Sequence, residues 1–343
     1  NVAGLIRFSA HAAHVKVVTL RGRNSLLKQG CFIVRLVIDT DAGIDDAQAI
    51  MMALAHSNAT VEAITAVTGN VHLDQVVPNV CTVLDLFDAD IPVYPGAYRP
   101  LVASWKPAGA HIHGEDGLGD WPGRKPSARK PECTAAAAAL VELANRYPGE
   151  LTLVALGPMT NIALATRLDP TFPQKIRQLT FMGGAIAARG NTENVTAEFN
   201  IYCDPEAAFI VLDAFSNIRM VSWETTLAHP LPWSIYDDLL ATTTDRSTFC
   251  AGIGATLVRL LRDGAEQYDG FLIPDPLAMA ITLEPGLIRE SETRYVTVEL
   301  HGSLTRGQTV IDYGKATGKL PNVEIVTRID MEGVYDLYRQ MLC

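Results

Sequence analysis

No two of the six cysteines, at positions 31, 81, 133, 203, 250 and 343, form a Cys-x-x-Cys pair. Zinc-site spacing is therefore absent, and so dispersed a set in a chain of 343 residues makes no disulfide framework. Free thiols in a reducing compartment are expected, which points to the cytoplasm. No apolar run is long and clean enough to span a bilayer, so no membrane partner is expected. Positive charge is scarce: 28 Lys and Arg stand against 38 Asp and Glu, a formal net charge of −10, which argues against binding a nucleic-acid backbone. Only 19% of residues are charged and 48% are hydrophobic, enough apolar material for a substantial core. The length suits one large α/β domain or two small ones.

Acid is missing altogether from residues 1–38, which hold Arg7, Lys16, Arg21, Arg23, Lys28 and Arg35 but no Asp or Glu. A basic, acid-free leader is what a mitochondrial transit peptide looks like, although serines are few here. An appended extension without catalytic importance is the alternative. Residues 1–33 are accordingly expected to be a basic extension and 34–343 a single catalytic domain, with the mitochondrion as the alternative to the cytoplasm.

Negative charge, by contrast, is concentrated at one place. Residues 34–38, apolar and largely β-branched apart from Arg35 set back along them, read as a buried strand. The pattern breaks at Gly43 and restarts with helical spacing through Ile50 and Leu54. Asp39, Asp41, Asp45 and Asp46 thus crowd the carboxyl end of a strand and the first turn of a helix, the crevice where open α/β sheets bind ligands. No basic residue lies among them. Oxygen ligands at this density suit a hard cation, Ca²⁺ or Mg²⁺. Helix capping by Asp45 and a favourable helix dipole at Asp46 would explain those two carboxylates, but not Asp39 and Asp41.

Downstream, strand and helix patterns alternate. Strands are expected over 61–67, 91–94, 151–156 and 176–182, and helices over 76–87, 132–146, 161–167, 204–212, 255–267 and 277–283. A Gly-, Pro- and Trp-rich loop fills 95–131, and the tail from 294 reads as strands with a closing helix over 334–341. Repeated β-then-α order implies an α/β fold, a mostly parallel central sheet wrapped by helices.

The run Asp39-Thr40-Asp41-Ala42-Gly43-Ile44-Asp45-Asp46-Ala47 resembles the amino-terminal signature of the inosine–uridine-preferring nucleoside hydrolases, with Ala42 where that family usually has proline. The runs Ala197-Glu198-Phe199-Asn200-Ile201 and Asp204-Pro205-Glu206-Ala207-Ala208 match it in the expected order, and the resemblance covers about residues 34–283. It implies a nucleoside hydrolase-like, Rossmann-like core and hydrolysis of the N-glycosidic bond of ribonucleosides to free base and ribose, as in purine or pyrimidine salvage. By the same resemblance Asp41 would be the general base for a Ca²⁺-bound water. Asp41, Asp46, Asp275 and the backbone carbonyl of Leu156 would hold the Ca²⁺, with Asp39 behind them. Asp45 and Asn70 would hold ribose hydroxyls. Asn191, Glu198 and Asn200 would complete the ribose grip, with Met182 against the sugar. The Asn191–Glu198 spacing is one residue longer than expected, which makes Asn194 the alternative. The implied partner is a small-molecule ribonucleoside, and a homo-oligomer, dimer or tetramer, is the expected assembly.

The residues themselves support a shared crevice. Asn70, Asn161 and Asp275 each follow an apolar run, and in a parallel sheet such ends face one side, where Asn and Asp can grip hydroxyls that both donate and accept. Singly, each has a plainer reading. Asp275-Pro276 and Asp204-Pro205 are N-cap-and-proline pairs, Asn70 suits a turn, and Met182 suits a core.

One departure concerns the leaving group. Many members of the family carry histidine before the aspartate that is Asp275 here, and this chain has Pro274, which has no proton to give. His113 is the candidate acid. Stacking by Trp105, Trp121, Tyr268 or Trp223 is the other route. Two rival functions differ in class. A haloacid dehalogenase-type phosphatase also begins strand-Asp-x-Asp, but wants Thr or Val where Gly43 stands. A non-catalytic nucleoside binder would account for Pro274 and Ala42. Free base released from a nucleoside would exclude both.

Overall fold

The computed structural model describes residues 33–104, 109–264 and 267–343. The basic extension up to residue 32, Cys31 and Trp105 lie outside them. Among the described residues, eight strands form one sheet in the order Val93–Pro95, Ala59–Ala66, Val34–Thr40, Leu151–Ala155, Ile176–Met182, Ile218–Val221, Val323–Ile329, Ile288–Arg294. Every neighbouring pair is parallel except the last, where Ile288–Arg294 runs antiparallel at the edge. Ile33–Cys343 forms one compact unit.

The period of two along Val34–Thr40 divides the core. Leu36 and Ile38 point into one apolar cluster and Val37 into the other, all three essentially buried. The first cluster is roofed by the helices Ile44–Ala55, Leu73–Asp85 and Pro274–Leu283, the second by Ala136–Arg146, Thr160–Leu168 and Pro205–Ala214. With both faces covered, the strand is apolar where it is buried, from Leu36 to Ile38, while Arg35 at its half-buried start pairs with Glu62.

Chain order reverses at Val34–Thr40, whose neighbours are Ala59–Ala66 on one side and Leu151–Ala155 on the other. Strands at such a switch point diverge in their connections and leave a crevice at their carboxyl ends. Asp39 pairs with Thr65 and with Ala155, and the Leu156 N–H donates to the Asp39 carbonyl at 2.8 Å. The acidic run therefore opens directly into that crevice.

Several boundaries differ from expectation for local reasons. The alanine-rich helix begins at Ala136, not at 132, because the Glu132 N–H still pairs with the Val93 carbonyl at 2.8 Å. The helix expected from 255 begins ten residues earlier, at Asp245, where Thr244 and Ser247 cap each other's backbone N–H groups, and it is described to Asp263. Among its described residues, the loop over 95–131 carries a single helical turn, Ala110–His113. Phe271 belongs to a two-residue antiparallel pair, Gly270–Phe271 with Leu231–Pro232, outside the main sheet. Asp275 thus reaches the crevice from the first turn of Pro274–Leu283, not from a sheet strand.

Candidate active site

Five carboxylates converge at the switch point. Asp39, Asp41 and Asp46 are fully buried and Asp275 nearly so, while Asp45 is partly exposed. Asp45, Asp46 and Asp275 each present an oxygen within 4.8 Å of the other two. At that distance, and an effective dielectric near ~20, each ionised pair repels by roughly 3 kcal/mol. Burial, and then the neighbouring carboxylates, push Asp46 up to about 6 and hold Asp41 and Asp275 well above the usual carboxylate range. Burial pushes Asp39 up to about 7 and Asp45 up to about 6.

The orientation of these groups is fixed from outside the cluster. Asp46 accepts from the Thr40 hydroxyl, from the Gly43 N–H at 2.8 Å and from Asn70 Nδ2 at 3.3 Å. Asp41 Oδ2 accepts the Asn70 N–H at 2.7 Å. Gly69 and Gly157 flank Asp41 so closely that a Cβ on either would lie 2.1 Å and 2.8 Å from its carboxylate oxygens, which no larger residue could tolerate in place. Asp39 accepts from Thr65 and from Asn161.

Among the described residues, Asp39 Oδ2, Asp41 Oδ1 and Asp45 Oδ1 are buried without a hydrogen-bond donor. Buried charge that lacks donors is costly unless a cation replaces them. The carboxylate cluster could therefore hold a metal ion, and its oxygen-only donors suit a hard one. The trio that lies closest together contains Asp45, whereas the family resemblance implies Asp41 with Asp46 and Asp275 as side-chain ligands.

Above the carboxylates lies a cavity of about 540 Å³, a volume suited to a small organic ligand. Asp45, Asn70, Leu156, Asn191, Glu198 and Asn200 line it, as do Met182, His113 and Asp275. Asp41 and Asp46 lie outside this lining. Glu198 is buried and caps the helix Phe199–Cys203, accepting from the N–H groups of Gly184, Asn200 and Ile201. Burial nevertheless pushes it up to about 7 against those hydrogen bonds. Asn191 Oδ1 accepts the Phe199 N–H at 2.9 Å. Its alternative, Asn194, donates its amide to the Arg306 carbonyl and is not on the cavity wall.

His113 comes from the Ala110–His113 turn. Its Nδ1 accepts the Ile44 N–H at 3.1 Å and lies 3.8 Å from Asp45. Burial pushes the imidazole down to about 4, so near neutral pH it is uncharged with its proton on Nε2.

Two sequence candidates are placed elsewhere. Asn161 is buried and spends its amide on Asp39, Ala66 and Ala97, bracing the strand ends and not facing the cavity. Trp121 packs edge-on against Phe249 and is not on the cavity wall, whereas Trp223 and Tyr268 are. Sequence reasoning missed Leu257, Leu260 and Leu261, three wall residues of the Asp245–Asp263 helix. Their i, i+3, i+4 spacing marks an apolar face but does not distinguish a ligand wall from a core.

This fold and this carboxylate-floored cavity define an α/β enzyme of the nucleoside hydrolase class. The chain belongs to the inosine-uridine preferring nucleoside hydrolase family, whose profile matches residues 36–336. It is an N-glycosyl hydrolase, which sets aside the phosphatase alternative. A pyrimidine-specific ribonucleoside hydrolase, RihA, of Citrobacter koseri is 35% identical over 90% of this chain and 97% of its own. Among solved structures, an inosine-guanosine nucleoside hydrolase superposes with a TM-score of 0.84 at 36% identity, over 90% of this chain and 98% of its own. The plant nucleoside hydrolase PpNRh1 does so with 0.82 at 32%, over 90% and 99%. No helix among the described residues is long and apolar enough to cross a membrane.

Proposed function

We propose that the chain hydrolyses ribonucleosides to free base and ribose, with Asp41 as general base and Ca²⁺ held by Asp46, Asp275, Asp41 and the Leu156 carbonyl. The observation that carries this reading is Asp41 Oδ1, a buried carboxylate oxygen with no donor, on a side chain clamped through its other oxygen. When bound, the cation supplies positive charge that lowers the pKa of water in its coordination shell. Asp41 Oδ1 takes the proton of the attacking water, and little further push is needed because the C–N bond breaks with its electron pair leaving on the base, so that the sugar is oxocarbenium-like when the water adds.

The amide groups divide the work on ribose. Asn200 Nδ2 is spent on the Leu156 and Met182 carbonyls, which leaves Oδ1 to accept from a hydroxyl. Asn191 Oδ1 is spent on Phe199, which leaves Nδ2 to donate. Asp45, on the cavity wall, accepts from a further hydroxyl, beside Asn70. Held at several points, the ring is kept in its reactive shape. His113 offers Nε2–H to the departing base as a hydrogen-bond donor; as a neutral imidazole it stabilises the base without giving up a cationic proton. The apolar wall of Leu257, Leu260, Leu261 and Trp223 receives the base.

Steady-state hydrolysis of inosine, adenosine, uridine and cytidine tests the proposal, with and without a chelator. Release of free base that stops on chelation and resumes with Ca²⁺ is the expected result. No turnover of any of the four would favour a nucleoside binder.

A further inference from the structure

Thr40 is fully buried and is not on the cavity wall, yet its side chain touches the carboxylate cluster. Its hydroxyl donates to Asp46 Oδ1 and accepts the Ala42 N–H at 3.0 Å. A hydroxyl carries one hydrogen. With an acceptor lone pair engaged by Ala42, that hydrogen is directed at Asp46 and nowhere else. Asp46 Oδ2 is held at the same time by the Gly43 N–H and by Asn70. Three donors on two oxygens fix both the plane and the tilt of the carboxylate.

Ala42 can supply its N–H because of an unusual backbone. Its φ is +39°, in the left-handed region that few residues other than glycine occupy, and its carbonyl is anchored by Asn79 Nδ2 at 3.1 Å. A proline at this position could neither reach that φ nor donate a hydrogen bond. The strained turn is thus retained together with a specific polar link, Ala42 to Thr40 to Asp46.

We infer that Thr40, oriented by the Ala42 N–H, is a positioning residue that presets Asp46 for a divalent cation. This rests on the cation reading of the carboxylate cluster given above. A carboxylate already locked in its ligating orientation loses less freedom on binding, and partners behind metal ligands commonly set affinity by about 10–100-fold.

The test is Ca²⁺ binding to the metal-stripped full chain by titration calorimetry, alongside thermal unfolding without the ion. Thr40→Val keeps the shape and removes the hydroxyl, and should weaken Ca²⁺ binding by about 10–100-fold at a temperature where circular dichroism shows it fully folded. Thr40→Ser should restore affinity to within a few-fold. Ala42→Gly keeps the N–H and should bind as the parent does, while Ala42→Pro should follow Thr40→Val. Parent-like affinity in a folded Thr40→Val variant, with only its melting temperature lowered, would make Thr40 a purely structural residue and overturn the inference. Equal losses in Thr40→Val and Thr40→Ser would overturn it too, since packing and not the hydroxyl would then matter. A parent chain that binds no Ca²⁺ would remove the cation reading itself, and this inference with it.

Discussion

Asn200 Nδ2 donates to the Leu156 carbonyl at 2.7 Å and to the Met182 carbonyl at 3.1 Å. One amide thereby ties the ends of two adjacent strands, Leu151–Ala155 and Ile176–Met182, across the floor of the cavity. It also sets the direction of the one backbone carbonyl proposed to face the cation. Structural support and the proposed ribose contact thus converge on a single side chain.

Replacing Asn200 with aspartate separates these roles. The shape is almost unchanged, but the two donated hydrogen bonds become two contacts between a carboxylate and a carbonyl. Removing a buried donor costs about 1–3 kcal/mol, more when a charge is left in its place. Asn200→Asp should lower the melting temperature by several degrees and weaken substrate binding more than tenfold, read as KM. An unchanged melting temperature would mean that the amide is not donating to these carbonyls.

The buried carboxylates predict a pH signature. Asp39 at about 7, and Asp45 and Asp46 at about 6, lie above the unfolded-state carboxylate value of about 4. A group whose folded pKa is raised binds its proton more tightly when folded. Its contribution to stability is full below about pH 4 and is lost as pH rises through about 6–7. A cation opposes that loss by binding the ionised folded state, worth about 2.7 kcal/mol at a hundred times its dissociation constant. The rise in melting temperature caused by Ca²⁺ should therefore grow from pH 5 to pH 8. A calcium increment that is flat across this range would show that the ion binds elsewhere.

Asp41→Asn should keep the fold, because it is isosteric and removes one of the repelling charges. An amide cannot accept the water's proton, so kcat should fall by about 10²–10⁴-fold. Without metal the variant should melt higher than the parent chain. Near-parental kcat would assign the base to another carboxylate, with Asp45 the first to examine.

How far the sequence revealed this arrangement depended on how local each cause was. The strand Val34–Thr40 and the acid cluster after it were legible because burial on both faces demands an apolar run, and its end is marked by Asp39. The early start of the Asp245–Asp263 helix was not, since its signal is a Thr244–Ser247 cap in an otherwise irregular stretch. Asn161 and Asn70 look alike as asparagines following strands. Only three-dimensional hydrogen bonding shows one bracing Asp39 and the other lining the cavity. Trp121 and Trp223 are likewise equivalent in sequence, and packing alone assigns the first to Phe249 and the second to the wall.

Pro274 lines the cavity without a proton to give, and His113 is uncharged above about pH 4. A neutral donor predicts that the contribution of His113 does not titrate between pH 6 and 8, where an imidazolium acid would lose its proton. His113→Ala should slow natural nucleosides strongly. It should do far less to p-nitrophenyl riboside, whose leaving group needs no assistance. The ratio of parent to variant kcat on inosine should stay constant across that pH range. A ratio that falls as pH rises would identify a cationic acid instead. Equal losses on both substrates would mean that His113 serves only to hold the Ile44 N–H and the neighbouring Asp45. Pro274→His then supplies the complementary test: it should raise kcat on natural nucleosides and leave p-nitrophenyl riboside unchanged. If neither variant discriminates between the two substrates, departure is governed by the aromatic wall, and Trp223 becomes the residue to substitute.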